Sequence, residues 1–126
     1  MSLRIVLASP RVVELAEFVA GLEAGGAELE VCPNGASALD RVRAAAPARM
    51  VGLVVVDGGL PDLAAAELVC ELLAVNAAVQ TAVLSRLSDE DFHAAAEGLG
   101  VLARVPWRPN RDDAAALLAA LCALRP

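Results

Sequence analysis

Apolar residues along the chain switch repeatedly between two rhythms, a short unbroken run and a recurrence every three or four positions. The first rhythm reads as a strand buried on both faces and the second as an amphipathic helix. Leu3 to Ala8 is the first run, and Ser9-Pro10 after it predicts a helix cap followed by proline at the first helical position. The helix expected from there carries Val12, Leu15, Ala16, Val19 and Leu22 on its apolar face and stops at Gly25-Gly26. Ala27 to Cys32 reads as a second strand, and Asn34 as the cap of a helix with Ala38, Leu39, Val42 and Ala45 inward, ending before Pro47. Val51 to Val56 is the most apolar run and the expected central strand; it leads into Asp57-Gly58-Gly59-Leu60-Pro61-Asp62, a turn-rich loop. A helix with Leu68, Val69, Leu72 and Val75 on one face follows, then a strand from Ala78 to Leu84. Ser88 caps the next helix, and Asp89, Glu90 and Asp91 lie at its positive end. That helix ends near Gly98 to Gly100; Val101 to Val105 makes the last strand, and Asn110 opens a helix with Leu117, Leu118, Leu121 and Leu124.

Strand and helix alternate through five units, which implies a parallel sheet, because right-handed crossovers lay successive helices over its faces. The expected architecture is one domain over residues 1–126: a flavodoxin-like (βα)5 doubly wound five-stranded parallel sheet in a three-layer α/β/α sandwich. Such sheets gather ligand chemistry beyond the carboxyl ends of the strands, where strand order reverses. The residues placed there are Ala8, Ser9, Asp57, Ser85 and Arg108, a set that brings a carboxylate, a hydroxyl and a cation towards one crevice.

Composition narrows the chemistry. Hydrophobic residues are 58% of the 126 but aromatic ones only 2%, so the core is built from Ala, Val and Leu, and an aromatic-lined binding site is not expected. A net charge of -6 disfavours nucleic acid as a partner, since affinity for phosphate backbones comes from clustered Lys and Arg. Cys32, Cys70 and Cys122 are odd in number and form no CxxC or Cys/His cluster, which fits a reducing cytoplasm better than a disulfide or zinc scaffold. Mean hydropathy is high at +0.61. Every apolar run nevertheless falls short of the roughly 18 residues that read as a membrane span. The start of the chain lacks the pattern of a signal peptide, so a cytoplasmic protein with no membrane partner is expected.

Val54-Val55-Val56-Asp57-Gly58-Gly59-Leu60-Pro61-Asp62, Val83-Leu84-Ser85 and Arg108-Pro109 together resemble the receiver domain of two-component response regulators, the CheY-like family, over essentially the whole chain. The resemblance implies that Asp57 is the phosphoacceptor, with Ser85 and Arg108 contacting the phosphoryl group, and that the partner is a histidine kinase or another signalling protein. Receivers hold magnesium through an acidic pair at the end of the first strand, and here that pair is Ala8-Ser9. Magnesium wants oxygen ligands, so Mg2+ binding is expected to be weak and efficient phosphorylation is not expected. Arg108 stands for the family's lysine and could pair Asp57 through its planar fork. The family's aromatic switch residue on the last strand is replaced by Val105 or its neighbour Arg104, with Trp107 a weak substitute.

Outside that frame several residues have simpler roles. Ser9 reads as a helix cap, Ser85 as either a strand-end turn residue or a phosphoryl contact, Trp107 as a packing residue and His93 as solvated. The leading expectation is a receiver module, not an enzyme, working in phosphorelay signalling or as a pseudo-receiver through protein contacts. Its partner surface would be the fourth helix, fifth strand and fifth helix, which could also serve a homodimer. Two alternatives come from other classes. A flavodoxin-like small-molecule binder is disfavoured, because Ser9-Pro10-Arg11 lacks the glycines or hydroxyls that cradle phosphate. A structural dimerisation domain would use the alanine-rich last helix.

Overall fold

A computed structural model describes residues 3–46 and 49–124. Its elements, in order, are β1 (Arg4–Ala8), α1 (Ala16–Ala24), β2 (Glu28–Cys32), α2 (Gly35–Ala44), β3 (Leu53–Asp57), α3 (Ala65–Val75), β4 (Gln80–Ser85), α4 (Asp89–Ala96), β5 (Ala103–Pro106) and α5 (Arg111–Cys122). The strands form one sheet in the order β2-β1-β3-β4-β5, and every neighbouring pair is parallel. This is the doubly wound sandwich that strand–helix alternation predicts. Pro47, the expected stop of the second helix, lies outside the described residues.

Side chains alternate across the pleat, so β1 to β4 each feed two cores. Val6, Ala8, Val54, Val56 and Val83 join Leu39, Val42, Leu68, Val69, Leu72 and Phe92 on the face covered by α2, α3 and α4. Ile5, Leu7, Leu53, Val55, Ala82, Leu84 and Val105 meet α1 and α5 on the other through Leu15, Phe18, Leu22, Leu117 and Leu121. All five residues of β3 are buried, as its apolar run demands. No helix among the described residues is long and apolar enough to cross a membrane.

The first helix departs from expectation. It begins at Ala16 rather than after Ser9-Pro10, and Val12 and Val13 are exposed. The Ser9 hydroxyl does not cap it; that oxygen accepts a bond from the Arg11 N–H at 3.0 Å and turns the chain locally. Two further tight turns, Glu14 N–H to Arg11 C=O and Leu15 N–H to Val12 C=O, precede the helix. The inward stripe is therefore Leu15, Phe18 and Leu22, with Val19 partly buried and Ala16 outside. At the other end of the chain Leu124 lies beyond α5 and is exposed.

Three of the N–H groups left over at the start of α2 are met by side chains from two loops. Asn34 Oδ1 accepts from Ser37, as its cap role predicts, while Asp62, from the loop after β3, accepts from Gly35 at 2.9 Å and Ala36 at 3.0 Å. Those bonds, Gly35's first, hold the Asp62 carboxyl below its ordinary value of 3.8. A depressed carboxylate adds stability above its unfolded value and loses it as pH falls through the folded one. Asp62→Asn is thus expected to unfold more easily than the parent at neutral pH, with the gap closing below about pH 3.8. Thermal unfolding of both proteins across that range checks this.

Candidate functional site

The chain passes from β1 to β2 on one side and then crosses back over β1 to β3 on the other, so the strand-order reversal lies at the β1–β3 seam. Register puts Ala8 beside Val56, and the next pair along is Ser9 and Asp57. Both are buried. Asp57 is completely enclosed, so its carboxylate needs partners to offset the loss of water.

It has three. The Ser9 hydroxyl donates to Oδ2 at 2.6 Å, Arg11 Nε donates to the same oxygen at 2.7 Å, and the Gly59 N–H donates to Oδ1 at 2.8 Å. Arg11 is itself fixed on several sides: Nη2 donates to the Trp107 carbonyl at 3.1 Å and Nη1 lies 3.4 Å from Glu14. Its guanidinium also stacks on the Trp107 ring with Cζ 3.8 Å from the centroid. Arg86 stacks on that ring too, at 4.4 Å. A cation over an aromatic face is attracted by the ring quadrupole, so Trp107 helps to carry the charge that balances Asp57.

The loop after β3 must be glycine-rich to allow this. A Cβ on Gly58 would lie 2.9 Å from the Leu84 carbonyl oxygen, and one on Gly59 3.0 Å from Trp107 Cη2. Gly58 N–H continues the sheet by donating to Leu84 C=O at 2.9 Å, and the small residue lets the turn stay that close. Trp107 then rests against the Gly58-Gly59 turn beside the buried carboxylate.

The sequence-predicted set is only partly brought together. Asp57 and Ser9 meet, with Ser9 serving the pocket and not the helix. Ala8 is buried and has no polar side-chain atom to offer. Ser85 is buried at the end of β4, but its hydroxyl accepts from Leu87 N–H at 3.1 Å and makes no bond to Asp57. Arg108 is exposed and makes no side-chain hydrogen bond or ion pair with Asp57; the arginine on Asp57 is Arg11. His93 is exposed as expected. Arg11, the first cation after β1, is missed by the sequence reading, because only the turn at Ser9 aims it inward.

A divalent cation does not fit these residues. Ala8 supplies no oxygen, the Ser9 hydroxyl points its proton at Asp57, and a guanidinium already sits 2.7 Å from Oδ2. Three of the roughly four lone-pair positions of the carboxylate are taken. Magnesium needs near-octahedral oxygen coordination, which one partly engaged carboxylate does not provide. Among the described residues, no group of three or more His, Cys, Asp or Glu side chains is placed to hold a metal ion.

No protein-family model matches the chain, and no curated protein matches it in sequence. Solved structures do. The chemotaxis response regulator CheY4 of Vibrio cholerae superposes with a TM-score of 0.82 at 13% identity, covering 96% of this chain and 99% of that one. The Francisella response regulator 1452 receiver domain gives 0.81 at 15% identity, covering 98% and 100%. The CheY-like receiver domain protein from Methanospirillum hungatei JF-1 gives 0.79 at 17% identity, covering 94% and 92%. Element order, sheet topology and these whole-chain superpositions agree: the polypeptide has the CheY-like response-regulator receiver fold.

Proposed function

We propose that the chain is a receiver-type signalling module that acts through protein contacts, with Asp57 held in an internal ion pair and not used as a metal-dependent phosphoacceptor. The observation that carries this reading is Arg11 Nε at 2.7 Å from Asp57 Oδ2, in a pocket where the acidic pair of a receiver is replaced by Ala8 and Ser9. A tethered guanidinium supplies the positive charge that a receiver otherwise takes from its metal, and it does so permanently. It also occupies the carboxylate oxygen that an incoming phosphoryl group would need. The module works as a binding partner rather than as a catalyst.

Its partner is a histidine kinase or another signalling protein, or a second copy of the chain, met through the face of α4, β5 and α5. On α5 the exposed Ala115, Ala116, Ala119 and Cys122 favour a close, low-charge contact. A small-molecule binder is less well supported, because Arg11 and Trp107 fill the crevice where a cofactor would lie.

Intact-protein mass after incubation with acetyl phosphate and magnesium tests the reading, with a beryllofluoride arm and an Asp57→Ala control. No adduct and no beryllofluoride response are expected. A single phosphoryl adduct that disappears in the control would overturn it.

A further inference from the structure

The loop between β4 and α4 is held by a side chain from the neighbouring strand. Arg104, on β5, donates through Nε to the Leu87 carbonyl at 2.7 Å, through Nη2 to the Ser85 carbonyl at 3.4 Å and through Nη1 to Asp89 Oδ1 at 3.2 Å. The loop is also tied internally, since Ser85 Oγ accepts from Leu87 N–H and Ser88 Oγ accepts from Asp91 N–H at 3.2 Å to cap α4. One planar guanidinium thus spans the last residue of β4, the middle of the loop and the first residue of α4. Lysine, with a single nitrogen, could not reach all three.

We propose that Arg104 is a latch that sets the arrangement of the β4–α4 loop from the β5 edge, independently of what happens at Asp57. Arg86 in the loop stacks on the Trp107 ring that also takes Arg11, but it makes no hydrogen bond to Asp57, and two observations support the independence. The Ser85 hydroxyl is engaged within its own loop, so it does not link the loop to the carboxylate. Asp57 takes its donors from Ser9, Arg11 and Gly59, none of which belongs to the loop. The carbonyl bonds carry the latch, because the Asp89 side chain is 81% exposed and its ion pair is screened by water. Arg104 is reachable from solvent, with 22% of its side chain exposed, so an anionic group on a partner could draw it off and free the loop. The latch goes beyond the contact-driven reading of the pocket and holds whether or not Asp57 is ever modified.

Amide hydrogen exchange in the full chain tests it. In Arg104→Ala the Leu87 amide is expected to exchange at least about tenfold faster, while Val54 and Val55 in β3 change far less. Arg104→Lys should fall between Arg104→Ala and the parent, and decides the matter if the alanine variant does not fold. Asp89→Asn should stay within about twofold of the parent. Asp57→Asn should move Leu87 no more than it moves the β3 amides. Unchanged Leu87 exchange in the Arg104 variants, equal acceleration of loop and β3, or selective acceleration of Leu87 in Asp57→Asn would overturn the latch. These outcomes are read without any phosphoryl donor, so they are distinct from the adduct experiment.

Discussion

Replacing Arg11 with alanine is expected to cost about 3–5 kcal/mol of folding free energy, because removing one partner of a buried ion pair strands the other. Asp57 is fully enclosed and would keep only the Ser9 hydroxyl and the Gly59 N–H. The reverse truncation should be milder. In Asp57→Ala, Arg11 retains the Trp107 carbonyl and Glu14, and its side chain, 14% exposed, can swing its charge towards water. A loss of about 1.5–3 kcal/mol is expected there, the range for a hydrogen bond to a charged group. Combining the two changes should recover at least about 1 kcal/mol relative to Arg11→Ala alone, since the stranded carboxylate is then gone. Urea unfolding followed by fluorescence measures all three, and Trp107 is the sole tryptophan in a chain without tyrosine, so the signal reports from the pocket itself. If Arg11→Ala loses no more than the exposed Arg43→Ala, within about 0.5 kcal/mol, the ion pair does not hold the carboxylate.

The second large effect lies in the core. Phe18→Ala should destabilise by about 3–5 kcal/mol, a substantial part of the roughly 5–15 kcal/mol by which a domain is stable. Phe18 is the largest of the fully buried side chains and sits with Leu15 and Leu22 against Ile5, Leu7 and Val55. Its removal leaves a cavity that α1 cannot collapse into easily. One turn further along the same face of that helix, Gly21 is already so close to α5 that an added Cβ would lie 2.7 Å from Ala114 Cβ. Val13→Ala makes the contrast: Val13 is 87% exposed, and a change within about 0.5 kcal/mol is expected. A shifted denaturation midpoint with an unchanged slope for Phe18→Ala would identify the loss as native packing.

These two residues mark where reading the chain alone stopped. The apolar stripe of the first helix was expected to include Val12 and Ala16, on the assumption that Ser9-Pro10 starts the helix; with the start at Ala16 the stripe runs through Phe18 instead. Ser-Pro is a sound local signal for a helix start, but here a tertiary bond to Asp57 uses the hydroxyl differently. Arg108 next to proline had the local features of a pocket cation and lies exposed, while Arg11, unremarkable in its own neighbourhood, carries the charge.

What the amino-acid sequence determined by itself was the alternation of strands and helices, the parallel sheet, the all-buried central strand and the place of Asp57 at its end. Those follow from apolar spacing and from capping residues, which act over a few positions and need no partner far along the chain. The caps at Asn34, Ser88 and Asn110 are of this kind. Which cation meets Asp57 and what holds the loop before α4 were decided by the tertiary structure. Each joins residues distant in the chain: Arg11 to Asp57 across 46 positions and Arg104 to Leu87 across 17. A long arginine side chain can reach several such partners, and only packing of the surrounding elements selects among them.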